Sequence, residues 1–581
     1  MTKRLFQLLM MVALILPEAS GRGSETAPPA SNVIVVTIDT WRWDAIGKSG
    51  SAKVATPILD RIAENGVYCK KAWTAAGMTT PSHASIFTGT YPQHHGIRDN
   101  HGFRLSAKVK TLAELLEERG YDTAAFVSAF PLARGSGIER GFRVYDDSLP
   151  ASGSSTSLAP RERKGDATLG AVLKWLEKPP EKFFLWVHFY DPHFKYEPPP
   201  GFSKRYENPY FGEVAFVDSL LGKLRAAAGA LKGGDKALWV VCGDHGEALG
   251  GHGEDTHGIF VYDETSRVPL IFSGAGVRTS EIQNARLIDV MPTILDILGI
   301  PVPKEVDGGS LLEPRRGPFR AYTETMSSFL NFGAAPVRAF SDGRFKVIDV
   351  PRREVYDLAG DPGESVNLFG HPSAEPAGVL FRELSEAVGE SLPPSKGART
   401  TPEEERALSS LGYIGAGGGI RVHNLMDPKD FVHRHKKISS AAALFEKREY
   451  SRAALLYEEL LKEFPKSPRL LGQLGLCRLF TGDPAGGEAR LREALKIDPD
   501  SGLVLVALGN ISLARGDGRA AEGFYLRALD ADPDNVEANL NLGILYHSSP
   551  SSRKKAVAYF RKFLELVPDD PEAQKVKGYL R

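Results

Sequence analysis

Apolar and polar positions along the chain follow two regimes. In the first, short continuous runs rich in β-branched and aromatic residues recur at Val33-Ile34-Val35-Val36-Thr37-Ile38 and at residues 123–127, 183–189, 237–242 and 268–272. Such runs suit strands buried on both faces. Helical periodicity lies between them, as at residues 111–118 and 167–176. Strand and helix alternating in this way predict a parallel sheet with helices on both faces. From about residue 339 to 368 the pattern changes to short strand candidates between Asp-Gly and Asp-Pro-Gly turns, which predicts a small appended antiparallel sheet. A Pro/Gly-rich connection follows, with a short helix near 401–411 and the glycine run 415–419.

The second regime is periodic. Pro465, Pro499 and Pro533 are spaced by 34 residues, and Pro568 comes 35 later. Leu-Gly pairs at Leu474-Gly475, Leu508-Gly509 and Leu542-Gly543 keep the same period. Small residues at Ala453, Gly487, Ala521 and Ala556 hold one phase, and Tyr457, Leu491, Tyr525 and Phe560 hold another. This resembles the tetratricopeptide repeat, in which small residues let paired helices approach and proline ends the second helix.

A chain of 581 residues exceeds what one core usually organises. Six segments are expected: a signal peptide at 1–21, a linker at 22–31, a catalytic domain at 32–335, its small C-terminal subdomain at 336–395, a linker at 396–432 and repeats at 433–581. The leader reading rests on Lys3 and Arg4 before the apolar stretch 5–16, with small residues at Ala19-Ser20-Gly21. It implies export to the periplasm or beyond; an uncleaved N-terminal anchor is the alternative. Basic and acidic residues both total 72, so nothing points to nucleic acid as a partner. Cys69, Cys242 and Cys477 are widely spaced and suggest neither a disulfide framework nor a zinc cluster.

Chemistry is expected at the carboxyl ends of the strands. Asp39 directly follows the first apolar run and Asp244-His245 another, with His193, His252 and His257 around them. Carboxylates with imidazole suit Zn, Mn, Mg or Ca better than a thiolate-seeking metal. Glycines in Gly243-Asp244-His245-Gly246 would let the backbone approach a ligand closely. In Thr79-Thr80-Pro81-Ser82-His83 a hydroxyl residue opens a helix, where it either faces an anion or serves as an ordinary N-cap.

These segments, in order, resemble the sulfatase family of the alkaline phosphatase superfamily. The resemblance is carried by Val36-Thr37-Ile38-Asp39-Thr40-Trp41-Arg42, Thr79-Thr80-Pro81-Ser82-His83 with Thr88-Gly89-Thr90-Tyr91-Pro92, Tyr190-Asp191-Pro192-His193 and Gly243-Asp244-His245-Gly246-Glu247. Tyr262-Asp263-Glu264-Thr265-Ser266-Arg267, Asp289-Val290-Met291-Pro292-Thr293 and Tyr356-Asp357-Leu358 continue it. It is similar to bacterial sulfatase-like hydrolases fused to tetratricopeptide repeats. The resemblance implies an α/β alkaline-phosphatase/sulfatase-like sheet flanked by helices, a small C-terminal antiparallel sheet and an all-α repeat solenoid.

Thr79 departs from the family, which places there a cysteine or serine that is converted to formylglycine. Pro81-Ser82-His83 also replaces Pro-Ser-Arg, and no Lys-x-His pair follows residues 123–127. No formylglycine is expected. Superfamily members with threonine at this point act on phosphoric esters, and Tyr91-Pro92-Gln93-His94-His95-Gly96-Ile97-Arg98-Asp99-Asn100 resembles the phosphodiesterases among them. The resemblance then implies Thr79 as nucleophile, a divalent metal held by Asp39, Thr79, Asp244 and His245, and substrate contacts from Asn100, His193 and His257. Asp191, His193 and His257 could instead hold a second metal. His83, His94, His95, His252, Arg267 and Asp289 are read as structural. The expected activity is phosphoric (phosphodiester) ester hydrolysis or phosphoryl transfer on a small-molecule or envelope ester, with a protein partner on the repeats. The alternatives are a sulfuric ester hydrolase working without formylglycine and a non-catalytic binding protein.

Overall fold

The computed structural model describes residues 32–100, 103–149, 162–231, 233–315, 317–388, 425–531, 533, 535–567 and 570–580. The expected leader, the linker 22–31, the helix near 401–411, the run 415–419 and Pro568 lie outside the described residues.

Among the described residues twelve strands form two sheets. The large one comprises β1 (Asn32–Ile38), β2 (Gly66–Trp73), β3 (Asp122–Phe126), β4 (Val144–Asp146), β5 (Phe183–Phe189), β6 (Ala237–Gly243), β7 (Arg267–Gly274) and β8 (Ser280–Arg286). Their order is β4-β3-β5-β1-β6-β7-β2-β8. The five anticipated runs are all present, and the central ones carry no exposed residue. Period-two alternation sends Val33 and Val35 to one core layer and Ile34, Val36 and Ile38 to the other. The first layer is covered by the helices Thr79–Thr88, Leu112–Glu117 and Val290–Ile297, the second by Pro57–Glu64, Gly165–Leu176 and Pro209–Gly229.

The sheet is not wholly parallel, as the alternation predicts. β7 runs antiparallel to both neighbours, β6 and β2. The cause lies in the connection: between β6 and β7 the longest helix is Asp263–Ser266, of four residues, too short for a crossover. The chain therefore stays at the carboxyl edge after β6 and turns back there. That leaves residues 244–266, with His245 and His257, on the edge where Asp39 lies.

The small sheet contains β9 (Ala321–Thr325), β10 (Val337–Ser341), β11 (Phe345–Asp349) and β12 (Glu354–Asp357), all antiparallel. Its first strand precedes residue 336 and ties the small sheet to the large-sheet half. Thr323 donates to Thr74 O at 2.6 Å and Thr325 donates to Gly258 O at 2.6 Å.

Paired helices follow from Pro428–Glu446 to Arg553–Leu566. The small/large code has a direct geometric meaning. A Cβ on Gly509 would lie 2.4 Å from the Tyr525 ring, and one on Gly543 would lie 2.4 Å from the Phe560 ring. Second helices of the pairs end at Glu463, Ile497 and Ala531, each just before Pro465, Pro499 and Pro533. The three cysteines are buried and unpaired. No helix among the described residues is long and apolar enough to cross a membrane.

Candidate active site

Three ligand atoms converge where β1 and β6 end. Asp39, Asp244 and His245 are fully buried, and one donor atom from each lies within 4.8 Å of the others. The hydrogen bonds show which atoms are committed. His188 Nδ1 accepts from the Ser128 amide, so its Nε2–H donates to Asp39 Oδ2 at 3.3 Å. Asp244 Oδ1 accepts from the amides of Thr40 and His245 at 3.1 and 2.7 Å. His245 Nδ1–H donates to Gly246 O at 3.0 Å, which leaves the Nε2 lone pair free. Asp39 Oδ1 and Asp244 Oδ2 have no partner although both are buried.

Two buried carboxylate oxygens without donors are costly unless something positive lies between them. Burial, then Glu247, pushes Asp39 well above the usual carboxylate range. Burial, then Asp39, does the same to Asp244. Burial also holds His245 down at about 4, keeping it a neutral donor of a lone pair. These residues could hold a divalent cation, and their oxygen and nitrogen donors fit Zn, Mn, Mg or Ca.

Thr79 opens the helix Thr79–Thr88 and its Oγ1 lies 3.4 Å from His245 Nε2. The hydroxyl also acts on Asp39, partly offsetting the upward push of burial on that carboxyl. The N-cap is Met78 and no side chain caps the helix, so Thr79 and Ser82 are both otherwise engaged. Ser82 O–H donates to Asp244 O at 2.7 Å. Asn100 Oδ1 accepts from the amide of Thr80, the residue after Thr79, at 2.9 Å, which holds its side chain at the start of this helix. Its loop is clasped by Arg98, whose guanidinium meets Glu324 of β9 at 2.5 and 2.7 Å.

A row of imidazoles leads outward. The rings of His245 and His257 lie 4.4 Å apart and those of His257 and His193 lie 5.1 Å apart. Burial lowers His257 to about 4, and burial followed by His257 lowers His193 well below its ordinary range. His193 Nδ1–H donates to Phe194 O at 2.7 Å. Asp191 does not join them. Its Oδ1 accepts from the Gly165 amide at 3.0 Å, and among the described residues Asp191, His193 and His257 form no three-ligand group.

His83 Nδ1–H donates to Thr79 O at 2.8 Å and Nε2 accepts from Thr37 at 2.9 Å, so it orients the helix. His95 bonds Ser85 and the Ile97 amide, His94 meets Asp307, and His252 bridges Glu264 and Glu364. Arg267 lies over Trp43, and Asp289 binds Arg286. The glycines around Asp244 act differently from expectation. A Cβ on Gly243 would lie 2.7 Å from Trp41 O, and one on Gly246 would lie 2.2 Å from Glu264 O. They are small for backbone packing, not for approach to a ligand.

Thr40 sits at φ 50, a strained region for a β-branched residue. It is held by the hydrogen bond its amide N–H donates to Asp244 Oδ1, by Thr40 O–H to Pro192 O at 2.6 Å and by Tyr210 O–H to Thr40 O at 2.8 Å. Sequence reasoning missed two residues. His188 lies inside an apolar strand run, and its alternation phase with Trp186 was the available signal. Glu247 ends the Gly243–Glu247 motif, is fully buried, rises to about 8 through burial, and meets His257 Nδ1 at 3.1 Å.

Residues 31–300 match the Sulfatase family model, and residues 444–511 and 479–539 match a tetratricopeptide repeat model. A Delta 4,5-hexuronate-2-O-sulfatase of Bacteroides thetaiotaomicron is 24% identical over 425 residues, covering 59% of this chain and 85% of the relative. An arylsulfatase of Clostridium perfringens is 23% identical over 438 residues, covering 58% and 90%. The solved phosphonate monoester hydrolase of Agrobacterium radiobacter aligns with a TM-score of 0.51 at 21% identity, covering 61% of this chain and 95% of that one. That likeness establishes the fold.

Proposed function

We propose that this protein, whose sulfatase-family domain is joined to tetratricopeptide repeats, cleaves or transfers phosphoric esters through a nucleophilic Thr79. The observation that carries the reading is the threonine itself, its hydroxyl 3.4 Å from His245 Nε2 beside the two orphaned carboxylate oxygens. A threonine Cβ bears one hydroxyl and one methyl. It cannot form the geminal diol from which sulfate is expelled by collapse to an aldehyde. A phosphothreonine, by contrast, is open to in-line attack by water at phosphorus.

In this reading Thr79 Oγ attacks the phosphorus of the bound ester and loses its proton. The alcohol leaves protonated, and the phosphoryl group stays on the threonine oxygen. Water or an acceptor alcohol then attacks phosphorus and frees Thr79. A divalent cation at Asp39, Asp244 and His245 would neutralise charge and lower the pKa of the hydroxyl. Asn100 Nδ2 donates to a non-bridging oxygen, and its Oδ1 stays locked to the Thr80 amide. His193 and His257 contact the remaining substrate oxygens. His188 and His83 keep Asp39 and the Thr79 helix in register. Export and a protein or envelope partner on the repeats belong to the same proposal.

A sulfuric ester hydrolase acting without formylglycine is the second reading, favoured by the two sulfatase relatives. Turnover of 4-nitrophenyl sulfate, 4-nitrophenyl phosphate and bis(4-nitrophenyl) phosphate separates the two. Phosphate-ester turnover lost in Thr79→Ala and on chelation supports the first reading. Sulfate turnover dependent on Thr79 overturns it.

A further inference from the structure

The first repeat helix, Pro428–Glu446, is anchored in the catalytic half. Phe431 and Val432 are buried in one apolar cluster with Trp73, Ile259, Phe260 and Val261. The Phe431 ring lies 5.2 Å from that of Phe332. Lys429 Nζ lies 2.8 Å from Glu354, the carboxylate that also accepts from Tyr262 O–H. Asp427 caps the helix and accepts from the Arg352 amide and guanidinium at 2.9 and 3.0 Å. The helix is thus fixed at its start by charge and along one face by apolar packing.

What it covers is the segment carrying His257. That segment has little regular structure and, left alone, would lose considerable entropy on ordering. Before His257, Lys436 Nζ pairs with Asp255 Oδ1 at 3.0 Å, and a Cβ on Gly253 would lie 3.9 Å from Val432 Cγ1. After it, Ile259, Phe260 and Val261 enter the shared cluster with Phe431 and Val432. The chain before the imidazole therefore rests on the helix, and the chain after it enters the apolar cluster that the helix anchors. His435, one residue before Lys436, stands in the electrostatic field of Arg469, Asp255 and His257.

We propose that this helix completes the active site: by gripping the chain just before His257 and anchoring the apolar cluster that the chain enters just after it, it positions that imidazole for the substrate. The repeat domain is then a working part of the catalytic unit. Val432 and Lys436 are positioning residues, and the inference rests on His257 as a substrate contact.

The test uses the full chain with inorganic phosphate as probe, its affinity read by calorimetry and loop order by amide exchange of residues 253–261. The Lys436–Asp255 pair is half exposed, with side-chain exposures of 51% and 63%. Lys436→Glu is therefore expected to weaken phosphate binding roughly two- to fivefold and to speed exchange in the loop. The swapped double variant Lys436→Glu with Asp255→Lys should restore both. Val432→Ser should act in the same direction and more strongly; if it fails to fold, the charge swap decides. Unchanged binding and exchange in these variants, with binding weakened in His257→Ala, overturn the inference alone. Unchanged binding in His257→Ala overturns the reading of His257 and the inference with it.

Discussion

Replacing Arg98 with methionine tests how the Asn100 loop is held. Arg98 and Glu324 form a two-pronged pair at 2.5 and 2.7 Å, with side-chain exposures of 13% and 1%. Glu324 is also bound by Tyr322 O–H at 2.6 Å, and its backbone bonds Ala75 and Gly77, just ahead of Thr79. Removing the guanidinium leaves a buried carboxylate with one neutral donor, a situation that costs about 3–5 kcal/mol. Glu324→Gln removes the charge and should cost less. The double variant buries no unpaired charge, so its loss should fall short of the sum by at least about 1.5 kcal/mol. Urea unfolding of the four proteins closes this cycle, since the repeat domain is common to all. Under native conditions Arg98→Met should also lower kcat, because Asn100 loses its placement; outright loss of one such donor costs about 10²–10³-fold, which bounds the effect from above. Additivity within about 0.5 kcal/mol would refute the clasp.

Further outcomes follow from packing and burial. Gly509→Ala gains about 1 kcal/mol of helix propensity. It also drives a Cβ to 2.4 Å from the rigid Tyr525 ring, so the repeat helices should melt lower than in the parent. Gly475→Ala meets Leu491 Cγ at 2.8 Å and the Gly487 carbonyl at 3.0 Å, wider than the 2.4 Å at Gly509, and should cost less, an order that circular dichroism can check. Asp218 accepts from the Ile58 and Leu59 amides, yet burial pushes it up to about 6. A raised folded-state pKa gives stability that is full below the ordinary carboxylate range of about 4 and is lost as pH rises through about 6. Asp218→Asn should therefore flatten the unfolding midpoint between those values, and an unchanged slope would contradict this.

The strands that position the site were legible because they are apolar on both faces. β1, β5 and β6 read as continuous runs, and Asp39 and Asp244 stand directly after two of them. β8, Ser-Glu-Ile-Gln-Asn-Ala-Arg at the sheet edge, offers no such run, and Lys70 and Lys71 interrupt β2. The direction of β7 was not readable locally, since it depends on what residues 244–266 fail to cross. The repeats were legible because the glycine of each Leu-Gly pair answers a large side chain of the paired helix, Leu491, Tyr525 or Phe560. In the site, ligand types followed from strand ends, but partner choice did not. His188 acts only because Ser128, distant in sequence, fixes its tautomer. Asp191 sits in a motif beside His193, yet its carboxylate turns to Gly165. The role of Pro428–Glu446 beside His257 lies across a long separation in sequence and leaves no local trace.

The central claim is that Thr79 carries the phosphoryl group. Acid-quenching the metal-loaded protein during turnover of bis(4-nitrophenyl) phosphate, followed by peptide mass analysis, tests it most directly. The account predicts one added 4-nitrophenyl phosphoryl group on the peptide containing Thr79, one 4-nitrophenol having left, and its absence in Thr79→Ala. Turnover with that peptide unmodified, or persisting in Thr79→Ala, would contradict it.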